Sequence, residues 1–471
     1  MSVRSLTQFL ELLEKVNDLT RVTVEVSTDL EIAEIVNRSR CGKNTALLFE
    51  NVSGRTSPLV TNCFGAERRI CLAIGADNIV QTGQRLIGDG QVAKGRLAQL
   101  AAGFLPDAYE SLAPRVVKTA ACQQVVEIGR DIDLNTLPAL CCSDDEAIPS
   151  LTAAYVVSAN PSGSERSLTK ADFPIVARNR LAVRWQPHDS LARHFESYSQ
   201  LTDKMPVAVV LGGPPAPLLA SYAACPRPVD GYLLAGVLAD SPVELATCRT
   251  HELQVPAVAE LVIEGYIDPS EPPVEVGLSS TSDGCHSAAT LARTIDIIQI
   301  TQQSEPIFPA FVHTAPPNEE TVISSAVERI LLPVWQQLIP ELSDFHRPPY
   351  SGRQHLAFVS IQKNYPYQGQ KVANALRGHL GTMANKLLII VDDDFELCDQ
   401  SEVWRRVSLH STFNGDLLRH DCGGEPAAST LTIDATAKLP GEVQRHSARR
   451  ISINPETKRA VDDRWGEYGL K

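Results

Sequence analysis

Positive charge is in deficit. Lys and Arg total 43 against 56 Asp and Glu, a formal net charge of −13. Nucleic-acid binding draws on a basic face, so this balance argues against such a partner. Long apolar runs are missing too. Stretches such as Leu387-Leu388-Ile389-Ile390-Val391 fall far short of the ~20 residues that span a bilayer, so no membrane partner is expected. Met1 to Leu10 carries one Arg and no apolar core, which does not read as a signal peptide. There is no CxxC pair. The 11 cysteines are odd in number, and only Cys141-Cys142 are adjacent. That pattern reads as reduced thiols of a cytoplasmic protein, packed as small apolar side chains, with no support for zinc. GxGxxG, Walker and GxSxG motifs are absent. So are internal repeats and low-complexity tracts. Aromatic residues make up only 6% and mark no stacking platform.

What is present fits a globular protein of two or three domains: 471 residues, 43% apolar and 21% charged. Phe9, Leu10, Leu12, Leu13 and Val16 form a stripe at helical spacing. Thr20 to Val26 alternates as a strand, and Thr28 or Asp29 is placed to cap a helix over Leu30 to Asn37. Ala46 to Phe49 reads as a buried strand. This α/β segment, 1–115, closes at a linker near Leu112-Ala113-Pro114. Residues 116–318 read mostly as strand: Ser150 to Ala159, Phe173 to Trp185, Val207 to Leu211, Leu261 to Ile267 and Thr294 to Thr301 are rich in β-branched residues. That predicts a β-barrel or sandwich with a few helices. In 319–471 the α/β pattern returns. Glu319 to Leu332 reads as a helix that Pro333 ends or kinks. Leu356 to Ile361 reads as a strand, Gln370 to His379 as a helix and Lys386 to Val391 as a buried strand.

Several residues could carry chemistry. Asp392-Asp393-Asp394 follows a buried strand, where clustered carboxylates could hold magnesium; a solvated, helix-capping loop is the simpler account. His188 precedes a helix as a lone imidazole. Glu260, Glu264, Glu271 and Glu275 crowd one region, with Asp283 and His286 after them. A carboxyl shielded from water there could donate a proton, while solvated loop charges remain the simpler reading. Lys363 ends a strand, where it could meet a phosphate.

Taken together, several stretches resemble the UbiD family of reversible decarboxylases. They are Phe9-Leu10-Glu11-Leu12-Leu13 to Asp29-Leu30-Glu31-Ile32-Ala33, Leu47 to Val52, and Met205-Pro206-Val207-Ala208-Val209. The most specific is Val255-Pro256-Ala257 to Ala259-Glu260-Leu261-Val262-Ile263-Glu264-Gly265-Tyr266. Val391-Asp392-Asp393-Asp394 and the ending Arg464 to Leu470 also match. The resemblance implies a mixed α+β / α/β fold, with a central split β-barrel of flavin-reductase type between N-terminal and C-terminal α/β segments. It implies prenylated FMN, a manganese-type ion and a potassium ion near the phosphate, and aromatic or α,β-unsaturated carboxylic acids as substrates. A homodimer or higher homo-oligomer is implied through the C-terminal part.

The family's roles carry over unevenly. Its metal-binding His falls on His188, but its Asn falls on Ser167 and its metal-binding Glu on Gly231. One good ligand does not hold a divalent ion. The catalytic Arg position is Asp172, whose charge would repel a substrate carboxylate. Lys170, Arg178 or Arg184 could compensate, and strand parity alone does not say which faces the pocket. The first catalytic Glu falls on Glu275; the second acid falls on Ser280 or, with a shifted match, Asp283. Lys363 takes the phosphate-contacting position, and Gln186 and Ser221 lie close to flavin contacts. Three readings follow. One is a carboxy-lyase with an altered metal and flavin site. Another is a cofactor-independent cyclase, isomerase or dehydratase of a polyunsaturated molecule, using Glu275, Asp172, Asp283, His188 and His286. The third is a non-catalytic partner of an active UbiD-like chain.

Overall fold

A computed structural model describes residues 2–87, 111–146, 148–186, 189–223, 229–287, 289–351, 355–378, 386–412, 414–420, 430–442 and 453–469. The N-terminal part runs α1 (Leu6–Lys15), β1 (Leu19–Val22), α2 (Glu31–Arg40), β2 (Ala46–Phe49), β3 (Leu59–Thr61), α3 (Glu67–Ile74) and α4 (Ile79–Ile87). Its sheet has the order β1-β2-β3 and is completed by Phe308–Pro309. Of the expected stripe, α1 buries Phe9, Leu10 and Leu13 and adds Leu6, whereas Leu12 is half-buried and Val16 lies past the helix end and is exposed. Neither Thr28 nor Asp29 caps α2: its N-cap is Leu30 at φ 65°, without a side-chain cap. Glu31 instead reaches back to accept from the Ser27 amide, so the helix start is held by a residue inside it.

The central part contains β4 (Val125–Ile128), β5 (Ser150–Leu151), β6 (Ala154–Ala159), β7 (Arg166–Lys170), β8 (Phe173–Ala177), β9 (Arg180–Val183), α5 (Ser190–Leu201), β10 (Met205–Leu211), α6 (Pro215–Ala220), α7 (Gly231–Ala239), β11 (Leu261–Ile267), β12 (Val274–Val276) and β13 (Thr290–Gln302). They form one antiparallel sheet of order β5-β8-β9-β13-β11-β10-β6-β7, with β4 and β12 also on β13. The stretch expected as one strand over 173–185 is a hairpin, because Arg178-Asn179 turns the chain between β8 and β9. The 13-residue β13 is the spine, pairing at different points with β12, β9, β11 and β4. Val207, Val209, Ile263 and Ile295 are wholly buried, as a sheet covered on both faces requires.

In the C-terminal part, α8 (Glu319–Leu338) leads into β14 (Leu342–His346), β15 (Leu356–Ile361), α9 (Gln368–Arg377), β16 (Leu387–Asp392), α10 (Gln400–His410), β17 (Leu417–His420), β18 (Thr430–Asp434) and α11 (Pro455–Asp463). The sheet order is β14-β15-β16-β18-β17, parallel at its centre. Pro333 does not end α8, which continues to Leu338. Burial on both sides of the proline, by Ile330, Leu331, Val334 and Trp335, offsets the lost backbone hydrogen bond. Gly83 of α4 packs against that turn; a Cβ there would stand 2.6 Å from the Ile330 carbonyl oxygen. Among the described residues, no helix is long and apolar enough to cross a membrane.

Candidate active site

A cavity of about 940 Å³ opens between the ends of the central strands and α8. Its walls come from the β7–β8 connection, the residues after β9 and after α6, the 281–287 hairpin and the inner face of α8. The opening of α8 organises it. Asn318 caps the helix through Thr321, and its side-chain amide holds the carbonyls of Ser282 and Thr314. Glu319 accepts from the Asn62 and Phe64 amides at 2.7 and 2.8 Å. Its carboxyl is fully buried, and burial lifts its pKa to about 7. Glu320 turns the other way, toward Lys170 and Tyr222 on the cavity wall.

There Glu320 joins Lys170, Asp172, His313 and Tyr222. Lys170 Nζ lies 2.6 Å from Asp172 Oδ1 and 3.1 Å from Glu320 Oε1. The Tyr222 hydroxyl donates to Glu320 Oε1 at 2.6 Å. His313 places Nε2 3.0 Å from Glu320 Oε2 and 3.8 Å from Asp172 Oδ2, while Nδ1 lies 3.0 Å from the Ser280 carbonyl oxygen. Nδ1 thus meets a backbone acceptor, while Nε2 stands within ion-pair distance of two carboxylates without being aligned to hydrogen-bond either, a setting that favours the charged imidazolium electrostatically. Burial by itself pulls the imidazole down; Asp172 and Glu320 outweigh it and lift His313 to about 9. The cluster thus carries two cations and two anions. Lys170, Glu320 and His313 are nearly enclosed, whereas the Asp172 side chain is 35% exposed and lines the cavity. Asp172 is therefore the carboxyl that a bound molecule meets.

Of the residues singled out in the sequence, Asp172, Asp283, Gln186 and Ser221 come together on this cavity. Asp283 accepts from His355 Nε2 at 2.7 Å, tying the hairpin to the start of the C-terminal sheet. Ser221 donates to the Leu218 carbonyl. Ser280 contributes its backbone carbonyl to His313 rather than its side chain. Glu275 does not line the cavity: it is exposed on β12, opposite Leu291. His286 bonds Ser143 at 2.6 Å away from the lining. Lys363 is also elsewhere, with Nζ buried against Glu442 at 2.7 Å and Thr436 at 2.9 Å. His188 lies outside the described residues. Arg178 pairs with Asp133 at the surface. In the Asp392–Asp394 run, Arg406 reaches Asp394 at 2.6 Å and Asp392 at 3.9 Å, which accounts for these charges as an anchored loop.

The metal positions implied by the resemblance do not fit a divalent ion. Gly231 begins α7, and a Cβ built on it would stand 2.6 Å from Leu168 Cγ. Leu168 fills the space where an acidic side chain would project. Ser167 bonds Ser158 at 3.2 Å, and Ser158 bonds His194 at 2.9 Å. Burial holds His194 down to about 4. These are weak neutral donors for a hard cation. A flavin ring fits the cavity by volume, with Gln186 and Ser221 at hand on its wall. A separate group, Cys248, His251 and Glu264, stands apart from the lining. Glu264 there accepts from the Arg249 and Thr250 amides and the Thr250 hydroxyl, an anchor for the turn.

His313, Glu320 and Tyr222 carry no local signal in the sequence. They meet Asp172 only through tertiary folding. The Asn318-Glu319-Glu320 helix opening was the one trace available.

Comparison with known proteins places the chain. Family models for 3-octaprenyl-4-hydroxybenzoate carboxy-lyase match along its length: the N-terminal domain over residues 10–86, the Rift-related domain over 115–316 and the C-terminal domain over 321–431. An uncharacterized protein of Aquifex aeolicus is 34% identical over 486 residues, covering 99% of both chains. Among solved structures, an evolved dimeric form of the UbiD-class enzyme HmfF from Pelotomaculum thermopropionicum, in complex with prFMN, superposes with TM-score 0.76 at 25% identity. It covers 98% of this chain and 99% of that one. The closed form of vanillic acid decarboxylase from Sedimentibacter hydroxybenzoicus shares the fold at TM-score 0.85 and 22% identity, with 99% of each chain covered. The chain belongs to the UbiD family, whose members are decarboxylases.

Proposed function

We propose that this protein is a carboxy-lyase acting on an aromatic or α,β-unsaturated carboxylic acid in the cavity of its central split barrel, with an altered metal and phosphate site. The observation that carries this reading is the buried four-charge cluster on the cavity wall, with Asp172 as its open edge. Removing carbon dioxide from such an acid leaves a carbon that must be protonated. Asp172, in place of Glu275, which is exposed and away from the cavity, relays that proton: it accepts one from the His313 imidazolium and passes it to the carbon, and His313 is reprotonated from solvent. His313 stores the proton behind it, and Lys170 keeps Asp172 oriented. Tyr222 and Glu320 fix the His313 ring. Prenylated flavin, when bound, supplies the sink for the electrons of the breaking carbon–carbon bond. Gln186 and Ser221, both on the cavity wall, would meet it. No step runs through manganese, because Leu168 occupies the place of the missing ligand. The protein works as a homo-oligomer.

The filled ligand position and the paired Lys363 also favour a second reading, in which the same cluster runs a cofactor-independent cyclisation, isomerisation or dehydration. A partner-subunit role is the less economical account, since it leaves the enclosed cluster without a task.

The test uses full-length protein co-expressed with a flavin prenyltransferase. Carbon dioxide release is followed across a panel of unsaturated and aromatic acids. Release that Asp172→Asn abolishes supports the carboxy-lyase. A folded, colourless protein that converts a polyunsaturated substrate without gas release supports the second reading.

A further inference from the structure

Among the described residues, four Lys or Arg side chains line the cavity, and they are not equivalent. Lys170 is engaged by Asp172 and Glu320, and Arg347 by Glu328. Arg293 gives Nη1 to the Glu271 carbonyl and lies over the Phe195 ring. Arg184, immediately after β9, has only hydroxyl partners: Ser279 Oγ at 2.7 Å, Ser287 Oγ at 3.3 Å and the Thr290 hydroxyl. No carboxylate lies within ion-pair distance of it among the described residues. Asp172 acts on it only through space, and the Asp172 charge is already met by Lys170. Burial pulls the guanidinium down, so an unmatched charge is costly in this place.

Ser279 and Ser287 share a hydrogen bond at 2.9 Å and Ser287 also reaches the Ser279 carbonyl at 3.3 Å, so these hydroxyls hold one another in place as acceptors of the guanidinium, and each is a donor in kind as well as an acceptor. A guanidinium fork ringed by such groups suits a planar, two-oxygen anion. We propose that Arg184, with Ser279, Ser287 and Thr290, is the subsite that holds the substrate's carboxylate. This rests on the carboxy-lyase reading. It supplies the positive charge that Asp172 takes away from the adjacent wall, and of Lys170, Arg178 and Arg184 it selects the one cation that is on the cavity and without a carboxylate.

The chemistry recognised is an oxyanion, which could also come from a flavin phosphate, so the test separates the two. Binding of cinnamate, cinnamamide, FMN and inorganic phosphate to the full-length chain is measured by calorimetry, for the natural protein and for Arg184→Ala, Arg184→Lys and Ser287→Ala. The expected result is that cinnamate binds and cinnamamide does not. Arg184→Ala weakens cinnamate at least tenfold, about 1.4 kcal/mol, and Arg184→Lys recovers part of that. Ser287→Ala, which removes no charge, weakens it less and covers the case in which the Arg184 variants misfold. FMN binding stays unchanged. Loss of FMN or phosphate binding with cinnamate unaffected would assign the subsite to a phosphate and overturn the proposal. Equal affinity for acid and amide would overturn it as well. Arginine-dependent cinnamate binding without carbon dioxide release from any acid would uphold the subsite and remove the carboxy-lyase reading.

Discussion

His313 is the group whose protonation the structure constrains most tightly, and its titration can be worked out in advance. The groups facing it are Asp172, Glu320, Lys170 and Cys142, and burial with nearby carboxylates pushes the Cys142 thiol up to about 12, so it stays neutral. A folded value of about 9 against 6.5 for the free side chain spans two and a half pH units. At about 1.4 kcal/mol each, the imidazolium contributes about 3 kcal/mol. The folded value is raised, so this stability is fully present below pH 6.5 and is lost as pH rises through about 9. The perturbation is Glu320→Gln. It leaves burial opposed only by the more distant Asp172, and His313 should then titrate below its ordinary value. The assay is NMR of histidine-labelled protein, with the His313 signal identified by its absence in His313→Gln. Urea unfolding midpoints at pH 6.5 and 9.5 accompany it, read as the difference between natural protein and His313→Gln so that Glu260 and Glu319, both lifted to about 7 by burial, cancel. The stability advantage of the natural protein should shrink by about 3 kcal/mol across that window. A His313 that titrates at or below 6.5 in the natural protein would refute the charge assignment of the cluster.

Other outcomes follow from packing and pairing. Gly231→Ala should cost about 1–3 kcal/mol by overpacking against Leu168. Pairing it with Leu168→Ala should recover part of the loss, and strict additivity in a double-mutant cycle of thermal midpoints would show that the two do not touch. Lys363→Met strands the buried Glu442 carboxylate and should cost about 3–5 kcal/mol while leaving flavin affinity unchanged. Weaker flavin binding at unaltered stability would return Lys363 to a phosphate role. Glu319→Ala leaves the Asn62 and Phe64 amides without their acceptor and should lower stability by about 2–4 kcal/mol. An unaltered urea midpoint would show that water replaces it.

The sequence was most readable where one physical signal decided the outcome. β-Branched runs marked β10, β11 and β13, and an apolar stripe from Phe9 to Leu13 marked α1, though Val16, read as part of it, is exposed past the helix end. It was least readable where tertiary contacts overrode local preference. Pro333 looked like a terminus, but both halves of α8 are buried strongly enough to carry the helix through. Phe173 to Trp185 looked like one strand because the Arg178-Asn179 turn lacks glycine and proline. The site divided the same way. Motif resemblance led to Asp172, Gln186, Ser221 and Asp283, which share the cavity, and to Glu275 and Lys363, which do not line it. Strand parity could not choose among Lys170, Arg178 and Arg184, because β9 ends before Arg184 and the chain there leaves the pleat. His313 and Glu320 were invisible because the partners that define them come from distant parts of the chain.

The measurement that tests the central claim most directly combines gas release with metal content on the same sample. Full-length protein co-expressed with a flavin prenyltransferase is passed through chelator, analysed for manganese and any released flavin, and assayed for carbon dioxide from aromatic and unsaturated acids. Carbon dioxide release with manganese far below one ion per chain is the predicted result. Stoichiometric manganese whose removal abolishes activity, or a flavin-loaded protein that releases no carbon dioxide from any acid, would contradict it.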